Sequence, residues 1–190
     1  MLPTGVRVLA TSAAEMYLYT QVALADGVAL HVVNIYLPPA RPTSLWHAVL
    51  DLTDTLPTSE PWLLLGDLNA HLGTGWPSDV ACSLHGEKRK ELPGGVCQRG
   101  RLVAKTLQER GLHILNGCQY AQAHTCTTRQ RGRVVTLSAV DLLIVNDVML
   151  PLIHKLHIED RPPWANSKNF HAHLALQLNT KPLQPGPMQQ

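Results

Sequence analysis

The sequence predicts a mixed-sheet α/β sandwich, with sheets inside and helices outside. Many short segments have the alternating or continuous apolar pattern of strands, whereas only two or three have helical periodicity. Successive strands are also joined as hairpins and do not alternate strictly with helices, which favours mixed sheets. The 190 residues suffice for one domain with a substantial core, and the hydrophobic fraction of 45% is typical of a globular protein.

Three strands are predicted at the start of the chain, over residues 6–10, 16–24 and 29–36. The Asp26-Gly27 pair between the second and third predicts a hairpin, because Asp-Gly suits the tight turn that joins twisted strands. The pair Pro38-Pro39 ends the third strand, since proline cannot extend the hydrogen-bond ladder.

Two segments have the periodicity of helices. Thr43 or Ser44 can cap the first, which extends to about Leu56, and the second covers Arg99 to Arg110 with Gly111 as its stop. The predicted inward residues are Leu45, Val49 and Leu52 in the first helix and Leu102, Val103 and Leu107 in the second.

The apolar run Trp62–Leu65 predicts a buried strand between the two helices. Residues 73–98 are predicted to form a long surface loop with the basic cluster Lys88-Arg89-Lys90. Residues 5–179 are predicted to form one domain, and residues 180–190 a disordered tail rich in Pro and Gln. The remaining predicted strands are 113–116, 124–128, 133–137, 140–145, 150–157 and 173–178.

The composition narrows the class of protein further. A net charge of +2 permits a polyanionic substrate without arguing for one. The ten histidines show no zinc-binding spacing, and the four cysteines show no Cys-x-x-Cys pattern, so free thiols in a reducing compartment are expected. Neither a signal peptide nor a membrane-spanning run is evident. The sequence therefore predicts a soluble intracellular protein, nuclear or cytoplasmic, without membrane contact.

The segment Gly66-Asp67-Leu68-Asn69-Ala70-His71 is the most informative motif in the chain. It follows a predicted buried strand directly, and in α/β folds ligands are bound at that end of a strand. A carboxylate can bind a metal ion or accept a proton, and a carboxamide can donate hydrogen bonds to a phosphate oxygen. This pair suits cleavage of a phosphate ester, although a plain turn with an Asx cap remains an alternative interpretation.

Four further polar residues fall at the ends of predicted strands. Tyr36 stands just before the Pro38-Pro39 stop, and Asn116 ends the short strand after the second helix. Asp141 begins an apolar run, and His171 precedes the final strand. Each also has a structural interpretation: Tyr36 as an aromatic residue at the sheet rim, Asp141 as a turn cap, and His171 as a solvent-facing histidine.

In order and spacing, these motifs resemble the endonuclease/exonuclease/phosphatase family, and most of all the endonuclease domain of non-LTR retrotransposons. The motifs concerned are Asn34-Ile35-Tyr36-Leu37-Pro38-Pro39, Gly66-Asp67-Leu68-Asn69-Ala70-His71 and Gly111-Leu112-His113-Ile114-Leu115-Asn116. The resemblance covers residues 5–179 and implies a deoxyribonuclease-like sandwich that acts on DNA or RNA.

The resemblance also implies a role for each matched residue. Asp67 would position or deprotonate the attacking water, and Asn69 would hold the scissile phosphate. His171 would stabilise charge on the phosphate, Asp141 would fix the orientation of His171, and Tyr36 would contact the phosphate or the leaving oxygen. The substrate-binding residues are predicted to be Asn69, Asn116 and Arg129. The implied cofactor is Mg²⁺ or Mn²⁺, with Asp67 as a ligand.

The sequence departs from the family pattern in two places. Phe170 stands where the family's Ser-Asp-His motif has a carboxylate. The opening strands, which carry an Asn and the metal-binding Glu, have no counterpart before Val6, and neither Glu15 nor Glu60 matches that Glu. We therefore expect a truncated copy that lacks its first strands and binds metal weakly.

Two functional hypotheses follow. The first is a phosphodiesterase domain of retroelement origin, an endonuclease whose activity is weak or lost. The second is a non-catalytic remnant that binds nucleic acid or a protein partner through the former substrate groove. Its phosphate contacts would be Lys88, Arg89, Lys90, Arg129, Arg131 and Arg133, although a charge run of this kind is also typical of an ordinary solvated surface.

Overall fold

The structure is a computed structural model that describes most of the chain outside its termini and four longer internal segments. The predicted helix cap at Thr43 or Ser44, the cluster Lys88-Arg89-Lys90, Arg131 and the tail 180–190 lie outside the described residues. The described ranges are 6–24, 26–39, 45–73, 95–117, 125–130, 133–159, 169–171 and 173–178, with the backbone alone for 127–130, 133–137, 157–159, 169–171 and 173–175.

Strands dominate the described part of the chain, and the helices among them are few. No helix there is long and apolar enough to cross a membrane. The elements in order are β1 (Arg7–Ala13), β2 (Tyr17–Ala23), β3 (Ala29–Tyr36), α1 (Leu45–Thr55), β4 (Trp62–Asp67), α2 (Gln98–Glu109), β5 (His113–Ile114), β6 (Cys126–Gln130), β7 (Arg133–Ser138), β8 (Asp141–Val145), a 3₁₀-helix (Leu150–Leu152), β9 (Ile153–Glu159), β10 (Asn169–His171) and β11 (His173–Leu178).

A six-stranded mixed sheet in the order β1-β2-β3-β4-β8-β5 forms the centre of the molecule. Only β3 and β4 are parallel in this sheet, and α1 lies between them in sequence as their crossover connection. The other neighbouring strands are antiparallel. The carboxyl ends of β3 and β4 therefore meet the amino end of β8 at one end of the sheet.

The predicted hairpin between β2 and β3 is confirmed. The amide of Leu24 donates to the carbonyl of Val28 at 2.9 Å, and the Asp26 carboxylate accepts from the Val28 amide at 3.0 Å. The side chain of Asp26 thus satisfies a backbone donor inside the turn, which is why Asp precedes Gly there.

One face of the sheet packs against both helices. The central strands contribute alternate residues such as Val33, Leu64 and Ile144, each fully buried. In α1 the apolar stripe is centred on Trp46 and Val49. The predicted Leu45 and Leu52 lie at its edge and are only partly buried, because the larger Trp46 occupies the middle of the interface.

The opposite face carries a second core. Leu63, Leu143 and Val145 point to this side, where they share a cluster with Leu156 of β9 and the partly buried Leu176 of β11. β9 and β11 pair as a two-stranded antiparallel sheet. Helices on one face and a second sheet on the other make a mixed α/β sandwich, so the predicted fold class is confirmed.

A three-stranded antiparallel sheet, in the order β10-β6-β7, completes the described strands. β7 leads into β8 through Ala139 and Val140, both of which are buried. This short connection brings the three-stranded sheet next to the start of β8.

Three of the differences between the predicted elements and the structure have a physical reason. The strand predicted over 150–157 begins as the 3₁₀-helix, because Pro151 has the fixed φ and missing N–H that suit a helix start. The strand predicted over 113–116 stops at Ile114, and the side chain of Asn116 continues the pairing with β8. β10 was not predicted, since three residues are too few to show a strand period.

Candidate active site

Tyr36, Asp67 and Asp141 form one row across three neighbouring strands, here called the site row. Tyr36 is the register partner of Asp67 in the parallel pair, and Asp67 is the partner of Asp141 in the antiparallel pair. Directly opposed residues point to the same face of a sheet. The two carboxylates and the phenol predicted from separate motifs thus lie side by side.

The face to which the site row points follows from the strand period of two. Asp67 has the same orientation as Leu63 and Leu65, and Asp141 the same as Leu143 and Val145. Those residues belong to the core on the side of β9 and β11. The site row therefore lies at the end of that face, where the apolar core gives way to polar residues.

Gly66 explains why the motif has glycine before the aspartate. Its φ is +134°, a conformation that side chains of L-residues rarely adopt. A Cβ at this position would stand 2.0 Å from the carbonyl oxygen of Ile35 on β3. Only glycine lets β3 and β4 approach closely just before Asp67.

The turn after Asp67 is fixed by hydrogen bonds from the motif itself. The Asn69 amide donates to Oδ1 of Asp67 at 2.9 Å, and Asn69 Nδ2 donates to the carbonyl of Leu37 at 3.0 Å. Asn69 has φ +45°, which asparagine tolerates better than most residues. The Asx turn of the alternative interpretation is thus present. It also orients the side chains of Asp67 and Asn69, which the interpretation as a phosphate-ester cleavage site needs.

The start of β8 is held by two buried polar side chains. Thr125 Oγ1 accepts from the amides of Val140 and Asp141, at 3.1 and 3.0 Å. Asn116 donates from Nδ2 to the carbonyl of Asp141 and accepts at Oδ1 from the amide of Leu143, at 2.9 and 2.8 Å. Thr125 and Asn116 are both 0% exposed, and Asp141 is 8% exposed. These contacts fix Asp141 at the end of the row.

His171 lies near this end of the sheet by backbone register. Its partner in the pairing of β10 with β6 is Cys126. The residue before Cys126 is Thr125, which binds the Asp141 amide. The side chains of His171 and of the predicted Arg129 lie outside the described part of the structure, so their roles stay predictions.

The site row is open to solvent at one end and closed at the other. Tyr36 is 54% exposed, Asp67 and Asn69 are partly buried, and Asp141 is almost fully buried. A ligand can therefore reach Tyr36, Asp67 and Asn69.

The chemistry of the row suits a hard divalent cation. Carboxylate oxygens such as those of Asp67 and Asp141 are the ligands that Mg²⁺ prefers. Within the described residues no group of three or more His, Cys, Asp or Glu side chains converges.

Arg99, like Thr125, is a residue near the site that sequence reasoning missed. It was predicted only as the first residue of a helix, yet it is 8% exposed and its guanidinium donates to main-chain carbonyls beside the site row. One feature of the sequence does indicate such a role for Arg99. A cation in the first turn of a helix is destabilised by the helix dipole, so a buried arginine there needs specific hydrogen-bond acceptors.

Known proteins resemble this chain in sequence pattern and in fold. A family model described as endonuclease-reverse transcriptase matches residues 30–167. This range contains Tyr36, Asp67, Asn69, Asn116 and Asp141. A sequence search of curated proteins finds no match.

Solved structures share the fold at low sequence identity. The endonuclease domain of TRAS1, a telomere-specific non-LTR retrotransposon, is 18% identical, with a TM-score of 0.65 over 92% of this chain and 80% of that one. An AP endonuclease from Archaeoglobus fulgidus is 14% identical, with a TM-score of 0.58 over 91% of this chain and 72% of that one. The 3′ phosphatase NExo from Neisseria, bound to a product DNA hairpin, is 15% identical, with a TM-score of 0.56 over 94% and 72%.

The mixed α/β sandwich is thus the fold of the endonuclease/exonuclease/phosphatase class. The chain belongs to the endonuclease-reverse transcriptase family of that class, as its sequence motifs predicted.

Proposed function

We propose that this chain is a Mg²⁺-dependent phosphodiesterase domain of retroelement origin that nicks nucleic acid with weak activity. The observation that carries the proposal is the register of the site row, which sets Tyr36, Asp67 and Asp141 side by side. Asn69 lies two residues beyond Asp67, with its amide oriented by the carbonyl of Leu37.

The proposed reaction is hydrolysis of a phosphodiester. A water oxygen attacks phosphorus in line, the opposite phosphorus–oxygen bond breaks, and the leaving oxygen takes up a proton. Asp67 orients the water and accepts its proton, and Asn69 donates a hydrogen bond to a non-bridging phosphate oxygen. Tyr36, exposed at the open end of the row, contacts the phosphate or the leaving oxygen.

Asp141 and His171 form the second part of the proposed site. The imidazole of His171 would donate to the phosphate, and the buried Asp141 carboxylate would fix its tautomer and orientation. The backbone path from His171 through its register partner Cys126 to Thr125 and Asp141 supports this pairing.

A Mg²⁺ ion, when bound, would neutralise charge on the phosphate in the transition state. Asp67 would be its ligand in this chain, because its carboxylate lies at the open part of the row. The weak activity that we propose is supported by Phe170, which stands before His171 where the family motif has a carboxylate.

The proposed substrate is DNA or RNA inside the cell, in the nucleus or cytoplasm. The complex of the Neisseria enzyme with a DNA hairpin supports a nucleic-acid substrate, and the likeness to TRAS1 supports a retroelement origin. The free thiol of Cys97 is typical of a reducing compartment. Arg129 remains a proposed phosphate contact, whereas the buried contacts of Asn116 favour a role in positioning Asp141 over direct contact with substrate.

Nicking of supercoiled plasmid with Mg²⁺ tests the proposal. We expect slow nicking by the wild type that stops with chelator, and a loss of about 100-fold or more in Asp67→Ala and His171→Ala, the range expected for removal of a general acid or base. Asp51→Ala and His47→Ala are matched controls, since both residues are exposed on α1. These controls should nick at the wild-type rate.

Nicking that survives in Asp67→Ala, or that is absent from the wild type, would contradict the proposal. In the second case, DNA binding that weakens steeply with salt would support a non-catalytic remnant, because contacts to phosphates release counterions.

A further inference from the structure

The start of α2 packs against the end of the Gly66–His71 motif. A Cβ on Gly100 would stand 1.8 Å from the carbonyl oxygen of His71. Cys97 Sγ accepts from the amides of His71 and Gly100, each at 3.3 Å, and the Cys97 amide donates to the His71 carbonyl at 3.1 Å. The helix is therefore joined to the last residue of the Gly66–His71 motif.

The side chain of Arg99 extends from this helix start into the space between the loop that follows Tyr36 and the turn that follows Asp67. Its Nη1 donates to the carbonyls of Leu37 and Leu68, both at 3.2 Å. Its Nη2 donates to the carbonyls of Pro38 and Pro39, at 3.0 and 3.4 Å. One guanidinium thus bridges the loop after Tyr36 and the turn after Asp67.

The carbonyl of Leu37 links Arg99 to the predicted phosphate-binding residue. It accepts from Arg99 Nη1 and also from Asn69 Nδ2, at 3.0 Å for the latter. Displacement of this carbonyl would move the Asn69 amide together with the loop that follows Tyr36. The position of Asn69 therefore depends on the guanidinium.

The geometry suits arginine and no other cation. Guanidinium presents five N–H donors in a rigid planar fork, whereas the ammonium of lysine is a point charge with three donors. A buried cation is tolerated only when it is hydrogen-bonded, and here four main-chain carbonyls accept from the guanidinium. Those donors face the protein, so Arg99 acts on the substrate only through the loops that it holds.

We propose that Arg99 is a positioning residue of the active site, which sets Asp67 and Asn69 relative to Tyr36. This inference rests on the proposed function for its kinetic consequence, whereas its structural consequence can be measured without any activity. A displacement of about 1 Å in catalytic geometry is enough to lower a rate by about 100-fold.

The kinetic test compares Arg99→Lys and Arg99→Met with Arg101→Met, an exposed arginine on the same helix. We expect kcat for plasmid nicking to fall by about 100-fold in both Arg99 variants, with KM close to that of the wild type. Arg101→Met should keep both constants. A rise in KM with unchanged kcat would overturn the proposal, because it would mean that Arg99 contacts substrate.

Amide hydrogen exchange by NMR tests the same inference in the absence of activity. In Arg99→Lys we expect the amides of Leu68 and Asn69 to exchange at least about tenfold faster, with the amides of Val33 and Ile144 in the sheet unchanged. Equal exchange at all four amides, or a uniform acceleration with a lower Tm, would overturn a positioning role. If the wild type does not nick DNA, the proposed function fails and exchange alone decides the role of Arg99.

Discussion

Asp67 is held at both its main chain and its side chain. Its carbonyl accepts from the Leu37 amide at 2.8 Å, and its carboxylate accepts from the Asn69 amide. The turn therefore fixes the position of the Asp67 carboxylate at the end of β4.

At the other end of β3, Tyr19, His31 and Glu60 form a hydrogen-bonded chain outside the site. Tyr19 Oη lies 2.8 Å from His31 Nδ1, and His31 Nε2 lies 2.5 Å from the Glu60 carboxylate. If Nε2–H donates to Glu60, Nδ1 is left to accept from the Tyr19 hydroxyl. Burial, and then the nearby Glu60 carboxylate, raise the pKa of Tyr19 above its usual value of 10.0.

This shift predicts a loss of stability at alkaline pH. The unfolded chain loses the Tyr19 proton first, so the contribution of neutral Tyr19 is complete below about pH 10 and is lost as pH rises through the folded pKa. We expect the difference in unfolding free energy between wild type and Tyr19→Phe to stay constant to about pH 9 and then to change in favour of the variant.

Denaturant unfolding at a series of pH values measures this difference. Tyr17→Phe is the matched control, since Tyr17 packs against the same core on the same face of β2. If the difference in unfolding free energy between wild type and Tyr19→Phe is the same at about pH 8 and about pH 11, the raised pKa of Tyr19 is contradicted.

At the scale of elements, the start of α2 lies in direct contact with the end of the Gly66–His71 motif. The carbonyl of His71 meets the helix where Gly100 has no side chain. The salt bridge of Arg110 with Asp54 ties the far end of α2 to α1. The helix is thus fixed to the motif at one end and to the other helix at the opposite end.

Gly100→Ala should destabilise the protein, although alanine is normally the better helix former by about 1 kcal/mol. The added Cβ meets a backbone oxygen that cannot move without moving the motif. We expect a loss of about 1–3 kcal/mol in unfolding free energy, as for other overpacked sites. Thermal or denaturant unfolding measures it, and Arg101→Ala on the exposed face should change it by less than about 0.5 kcal/mol.

A Gly100→Ala variant as stable as the wild type would contradict the close approach of α2 to His71. The helix start would then lie farther from the turn than the structure places it.

At the scale of the whole molecule, two cores share one sheet. The core of the helix face contains Leu64 and Ile144, and the core of the opposite face contains Leu63 and Leu143. β4 and β8 are therefore buried on both faces, which is why their sequences are continuous apolar runs. The site row begins where these runs end.

The sequence was sufficient to predict the fold class, most of the described strands, and the helices α1 and α2, because these depend on local periodicity. β3 and β11 have the predicted bounds, and α2 starts and ends within one residue of its predicted limits. Trp46 was missed because helical periodicity alone did not show which residue is at the centre of the stripe in α1.

The site residues were predicted from motifs, and their arrangement was not. Asp67 and Asp141 are far apart in sequence, and their register depends on strand pairing that local patterns do not specify. The contacts of Arg99 were missed for the same reason, since the carbonyls that it binds belong to Leu37, Leu68 and the two prolines. The resemblance to a known family supplied the candidates that periodicity alone would not have given.

The measurement that tests the central claim most directly is a double-mutant cycle on plasmid nicking with Asp67→Asn, Asp141→Asn and the double variant. If the site row acts as one unit, each single variant loses about 100-fold or more in rate and the double variant is about as slow as the slower single. Effects that multiply in the double variant, or a wild-type rate in either single variant, would contradict the claim that the two carboxylates work together.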